Sequence, residues 1–97
     1  MIDKIKQLME VKRQAEQIKR ELENTTIQVS DISGIKIVIN GAQKFQSVEI
    51  AESLVNAGNR ERLESDLLKS INAAIAKSQN AAAQKMKELT GLNIPGL

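Results

Sequence analysis

The residues that most often perform catalysis or bind transition metals are missing from this sequence of 97 residues, which has no His, Cys, Trp or Tyr. Their absence removes the commonest general base, the thiol nucleophile and the soft metal ligands. Serines are present, but none has an evident general base beside it. The five glycines form neither a P-loop nor a G-x-G-x-x-G pattern. The sequence therefore predicts a protein that is not an enzyme and that uses no cofactor.

Three acidic residues lie within six positions of one another: Glu61, Glu64 and Asp66. Such a group could bind a hard cation. Acidic residues in the first turn of a helix are more often partners of the helix dipole. We therefore expect no metal site here.

Basic residues recur with helical spacing near the start of the chain. Lys6, Arg13 and Arg20 are seven residues apart, and Lys12 and Lys19 stand beside the last two. A straight basic ridge of this kind could follow a phosphate backbone. The alternative is an ordinary solvated helix face, because Glu16 and Glu23 lie in the gap between these positions.

A second group of lysines lies near the end of the chain. No acidic residue occurs between Leu67 and Lys87, whereas the same stretch contains Lys69, Lys77, Lys85 and Lys87. On a helix these lysines are expected to lie opposite the apolar stripe or beside it. They indicate anion binding, although lysines near a helix C-terminus also stabilise the helix dipole.

The kind of anion is indicated by the aromatic content and by the choice of basic residue. Phe45 is the one aromatic residue, and proteins that bind single strands or RNA usually stack bases on several aromatic rings. Most of the 14 basic residues are lysines, which suit phosphate contacts better than bidentate readout of bases. If the partner is a nucleic acid, we expect duplex DNA bound with little sequence preference.

These charges are placed on a predicted α+β domain that covers residues 1–97, with a three-stranded antiparallel sheet between two long helices. Heptad spacing of apolar residues predicts a helix over residues 1–23. Alternating apolar residues predict a sheet over residues 26–50, followed by a loop over 51–59. A second helix is predicted over 60–89, and residues 90–97 form an apolar tail. No apolar run approaches the ~20 residues that a membrane span needs.

The centre of the sheet is predicted to be a hairpin. Ile35, Ile37 and Ile39 share one face of a strand, and Asn40-Gly41 is a strong turn signal. A two-residue turn would place Val48 and Ile50 on the face of the isoleucines. It would place Phe45 on the opposite face, beside Val38, whereas a longer loop would change this register.

So small a sheet leaves apolar surface uncovered, since a few short strands are not stable alone. We expect a second copy of the chain to cover it in a two-fold homodimer. The predicted interface residues are Ile35, Ile37, Val38, Ile39, Phe45 and Val48.

The whole pattern resembles the YbaB/EbfC family of bacterial nucleoid-associated proteins. The resemblance rests on "SGIKIVING", "VEI", "LESDLLKSINAAIAK" and "KMKELTGLNIPGL", and it covers nearly the whole chain. It implies an α-β-β-β-α homodimer shaped like tweezers that binds DNA with broad specificity. The shared motifs are mostly structural, so the candidate DNA-binding residues come from charge geometry alone: Lys12, Arg13, Lys19, Arg20, Lys69, Lys77, Lys85 and Lys87.

The sequence thus predicts a cytoplasmic, nucleoid-associated protein that organises DNA and influences expression, with no membrane or small-molecule partner. The alternative is a dimeric adaptor that binds a partner protein through its helices and its apolar tail.

Overall fold

The computed structural model describes residues 2–91 of the chain. The predicted α-β-β-β-α order is confirmed, with an open three-stranded antiparallel sheet between two long helices. The elements are α1 (Ile2–Glu23), β1 (Thr26–Val29), β2 (Ile35–Asn40), β3 (Phe45–Ile50) and α2 (Arg60–Thr90). Short 3₁₀ turns at Glu52–Leu54 and Ala57–Asn59 lie in the predicted loop. Most of the predicted apolar tail lies outside the described residues.

The first helix ends at a run of small polar residues, one of which binds a carbonyl group of the last helical turn through its side chain. The Thr25 hydroxyl donates a 2.6 Å hydrogen bond to the carbonyl of Glu21. The backbone amide of Asn24 makes the last bond of helical spacing, to the carbonyl of Arg20 at 3.0 Å. Short polar and β-branched side chains compete with the helix in this way, so the chain leaves α1 and enters β1 directly.

The core lies between α2 and one face of the sheet. Val29, Ile35, Ile37 and Ile39 are buried there against Ala74 of α2. The small side chains of α2 on this face allow the helix backbone to approach the strands closely. The isoleucine face of β2 is therefore covered within a single chain.

The hairpin differs from the prediction in its turn and partly in its register. The Asn40 side-chain oxygen accepts hydrogen bonds from the amides of Ala42 and Lys44, both at 3.0 Å, and Gln43 adopts a left-handed conformation (φ 63°). The connection is consequently longer than two residues.

Val48 pairs with Ile37 and Ile50 pairs with Ile35, so their predicted face is confirmed. The position of Phe45 that a two-residue turn predicts is wrong, because the longer connection changes the register, the alternative that the sequence left open. A register shift between Val38 and Ile39 inserts one extra residue in β3, and Phe45 stands opposite Ile39 instead.

The molecule is elongated. It measures 68 × 23 × 17 Å, and its radius of gyration of 18.4 Å exceeds the ~12–13 Å expected for a compact chain of this length. Residues 3–17 of α1 are all exposed, and we call this segment the free part of α1. The two helices contact each other beyond the sheet, as the ion pair between Glu21 and Lys85 shows.

A buried polar junction joins α1, the hairpin turn and α2. The Ser78 hydroxyl donates to the carbonyl of Asn40 at 2.7 Å, and the Asn40 amide group donates to the carbonyl of Glu23 at 3.3 Å. The Gly41 amide donates to the carbonyls of Leu22 and Thr25, both at 2.9 Å. This junction sets the direction in which α1 leaves the sheet.

Candidate nucleic-acid interface

The predicted basic residues of α1 all lie on its exposed surface. Arg13 forms an ion pair with Glu10 one turn away, and both side chains are well exposed. Within residues 2–91, Lys12, Lys19 and Arg20 form no ion pair. Their charges are therefore available to an external anion.

The predicted lysines of α2 fall into two groups. Lys69 and Lys87 are exposed and have no ion-pair partner in the described part of the chain. They are separated by about five helical turns, or about 27 Å, and so point to the same side of α2. This side is opposite the buried Ala74.

Lys77 and Lys85 are instead held by carboxylates from other elements. The Lys77 ammonium lies 2.6 Å from a carboxylate oxygen of Asp31, in the connection between β1 and β2. The Lys85 ammonium lies 3.6 Å from Glu21 of α1 and 4.0 Å from Glu88. Lys85 was expected opposite the apolar stripe or beside it, and its side chain, 32% exposed, reaches toward α1.

Three further cations without an ion pair in residues 2–91 were not among the predicted site residues. Lys4 and Lys6 belong to the free part of α1, and Lys44 lies in the hairpin turn. Lys6 could have been chosen from its seven-residue spacing to Arg13. Nothing in the sequence around Lys44 distinguishes it, because only the fold brings the turn close to the end of α1.

The opposite end of the molecule has paired charges. At the start of α2, Arg60 Nε lies 3.4 Å from a carboxylate oxygen of Glu64. Arg62 Nε lies 3.7 Å from a carboxylate oxygen of Asp66. Lys36 of β2 lies 3.1 Å from Glu49 of β3. Within residues 2–91, the cations that form no ion pair thus lie on α1, in the hairpin turn and on the outer side of α2.

The residues predicted to form a dimer interface are placed in two environments. Ile35, Ile37 and Ile39 are buried beneath α2, and Val38 of the same strand is partly buried. Phe45 is 42% exposed and Val48 is 49% exposed, both on β3 at the edge of the sheet. Of these six residues, the two on β3 offer the larger apolar surface to a partner.

This fold and charge distribution define a small α+β protein whose unpaired cations line two long helices, a surface suited to a polyanion. The profile of the YbaB/EbfC DNA-binding family matches residues 1–93, and the chain belongs to this family. The resemblance inferred from the sequence is confirmed.

The curated relatives span nearly the whole chain. A nucleoid-associated protein of Clostridium kluyveri is 34% identical over 95 residues, which cover 96% of this chain and 83% of the relative. A nucleoid-associated protein of Pelotomaculum thermopropionicum is 33% identical over 95 residues, which cover 96% of this chain and 90% of the relative. A nucleoid-associated protein of Prochlorococcus marinus is 33% identical over 100 residues, which cover 99% of this chain and 85% of the relative. In residues 2–91, neither helix has the length and apolar character that crossing a membrane requires.

Proposed function

We propose that this protein is a homodimeric, nucleoid-associated protein that binds duplex DNA with little sequence preference, and that it thereby organises the nucleoid and influences expression. The observation that supports this most is that five of the predicted cations on the two helices are exposed and form no ion pair within residues 2–91: Lys12, Lys19, Arg20, Lys69 and Lys87. Family membership and the names of the relatives point to the same partner.

The physical basis of binding is phosphate neutralisation. Each lysine or arginine that contacts a phosphate releases condensed counterions, so the binding constant decreases as salt increases. Cations on long helices can follow a duplex without reading its bases. The lysine-rich composition supports weak sequence preference, because lysine acts as a point charge.

Duplex DNA is also favoured by the scarcity of aromatic residues, because Phe45 adjoins one of these cations, Lys44, at the start of an edge strand and does not lie on either cationic helix. Proteins that bind single strands combine a basic groove with aromatic rings on which bases stack. Lys12, Lys19 and Arg20 have no aromatic residue near them in the sequence. Contacts to the backbone of a duplex need none.

The homodimer is supported by the edge strand β3. Its residues from Phe45 to Glu49 are all exposed, and it carries neither Pro nor Lys, two residues that commonly protect sheet edges. A second copy paired or packed here would bury Phe45 and Val48. Two copies would also double the number of cationic helices that one DNA segment meets.

The proposal is tested by titrating a labelled random duplex with the protein at two salt concentrations and by measuring the mass of the protein in solution. We expect a dimeric mass and an affinity that falls steeply between about 50 and 200 mM salt. No binding at the lower salt concentration, or binding that is insensitive to salt, would exclude phosphate-driven DNA binding.

An adaptor function is a second candidate, favoured by the apolar residues on the free part of α1. Ile5, Leu8, Met9 and Val11 are 60%, 69%, 67% and 63% exposed. A partner protein could bury them. Truncation after Thr90 and, separately, replacement of Leu8 and Val11 by Gln would abolish binding of such a partner while DNA affinity remained.

A further inference from the structure

Two of the lysines on α2 are neutralised by carboxylates that come from distant parts of the chain. Asp31 precedes Lys77 by 46 residues, and its carboxylate accepts a 2.6 Å hydrogen bond from the ammonium group. Glu21 of α1 lies 3.6 Å from the ammonium of Lys85. These side chains remain partly exposed, at 45% for Lys77, 46% for Asp31, 32% for Lys85 and 45% for Glu21.

We propose that Asp31 and Glu21 are internal competitors of DNA phosphate, which occupy Lys77 and Lys85 and so limit the affinity of the protein for duplex DNA. This inference rests on the proposed DNA-binding function. It assigns a role to two acidic residues that the charge pattern of the helices alone does not reveal.

The chemistry of the competition is simple. A carboxylate and a phosphate are both anionic acceptors for the same ammonium group. A phosphate that approaches Lys77 must either displace Asp31 or sit beside it and be repelled by its negative charge. In either case the paired lysine contributes less to DNA binding than an unpaired one such as Lys87.

These two pairs differ from the other lysine and arginine pairs on the helices. Arg13 with Glu10, Arg60 with Glu64 and Arg62 with Asp66 are i,i+3 and i,i+4 pairs within one helix, and of these six side chains all but Asp66 are more than half exposed. Such pairs are weak and are readily opened by solvent or salt. Asp31 and Glu21 instead lie on other segments of the chain, so it is the fold that brings their carboxylates to the two lysines.

The two sites are not equivalent. In the described residues, Asp31 is the one carboxylate in an ion pair with Lys77, whereas Lys85 also lies 4.0 Å from Glu88. Removal of the Glu21 charge therefore leaves a second acceptor near Lys85. We expect the larger effect from Asp31→Asn.

The experiment compares wild type, Asp31→Asn and Glu21→Gln in duplex titrations at several salt concentrations. Each freed lysine adds one phosphate contact, which steepens the slope of log affinity against log salt by about 0.9. The ratio of the affinity at 50 mM salt to that at 200 mM salt should therefore be about 3.5-fold larger than in wild type. Glu64→Gln is the matched control, because it changes the net charge equally but frees Arg60 at the opposite end of α2. Thermal unfolding of each variant verifies that the fold is retained.

A second set of variants separates release of Lys77 from general loss of negative charge. Lys77→Gln alone should weaken binding less than Lys87→Gln, since Lys77 is already neutralised. In the Asp31→Asn background, Lys77→Gln should abolish the whole gain.

The outcomes distinguish the two levels of the proposal. If wild type does not bind the duplex at low salt, the proposed function fails. If wild type binds and Asp31→Asn is no tighter than Glu64→Gln, or its gain survives Lys77→Gln, then DNA binding stands and the competition by Asp31 is refuted.

Discussion

The Ser78 hydroxyl of α2 donates a 2.7 Å hydrogen bond to the backbone carbonyl of Asn40, and both residues are buried. This contact links the middle of the long helix to the last residue of β2. Asn40 in turn binds the end of α1 through its side chain. One residue of the hairpin thus fixes both helices.

Replacement of Ser78 by Ala should lower the free energy of unfolding by about 1 kcal/mol, the typical contribution of a hydrogen bond. The loss is limited because the Asn40 carbonyl also accepts from the amide of Gln43 at 3.1 Å. Urea denaturation measures the change. Ser65→Ala, at an exposed position of the same helix, serves as the control and should leave the stability as in wild type. Equal stabilities for the two variants would contradict the role given to Ser78.

Replacement of Gly41 by Ala should be destabilising for steric reasons. A Cβ atom at this position would lie 3.0 Å from the carbonyl oxygen of Leu22, which belongs to the backbone and cannot rotate away. We expect a loss of about 1–3 kcal/mol, as for other overpacked sites. The measurement is thermal or urea unfolding.

The matched control is Gly58→Ala, where the nearest atom to the new methyl group is the Asn56 side-chain oxygen at 3.6 Å. This variant should stay within about 0.5 kcal/mol of wild type. A Gly41→Ala protein as stable as Gly58→Ala would mean that α1 shifts freely relative to the hairpin.

Local patterns predicted β2 best, because this strand buries one regular face. Ile35, Ile37 and Ile39 alternate, and they do form the buried face of β2. The position of Phe45 could not be predicted, because it depends on the hydrogen bonds that Asn40 makes to the turn and on the register shift in β3. A turn signal indicates where a chain reverses but does not fix how many residues the reversal uses.

For the candidate site, the sequence could predict only which face of a helix each cation lies on. Lys69 and Lys87 lie on the outer side of α2, as the spacing indicated. The neutralisation of Lys77 by Asp31 depends on packing between residues far apart in the sequence, and no local pattern contains that information. Charge counts along a helix therefore overestimate the number of cations that are available to a ligand.

Removal of three cations of α1 that form no ion pair in residues 2–91 should lower the DNA affinity and also reduce its salt dependence. The variant replaces Lys12, Lys19 and Arg20 by Gln, and the log–log salt slope should fall in magnitude by about one for each lost phosphate contact. Duplex titrations over a range of salt concentrations measure the slope.

The control variant removes the same amount of charge from cations that are already paired. It likewise replaces Lys36, Arg60 and Arg62 by Gln. These residues form ion pairs with Glu49, Glu64 and Asp66, respectively. Its slope should stay close to that of wild type. If both variants reduced the slope equally, net charge and not the position of the cations would govern binding.

Replacement of Val48 by Lys should dissociate the proposed homodimer. Val48 lies on the exposed edge strand, and a charge there would have to be buried, without a partner, in any interface that covers β3. We expect a monomer in light scattering at micromolar concentration, with weaker DNA binding because each molecule then carries half as many cationic helices. The control is Val55→Lys, at a position that is 62% exposed in the loop after β3, and it should remain dimeric. A dimer that survives Val48→Lys would place the interface elsewhere, and the exposed apolar residues of the free part of α1 would then be the next surface to test.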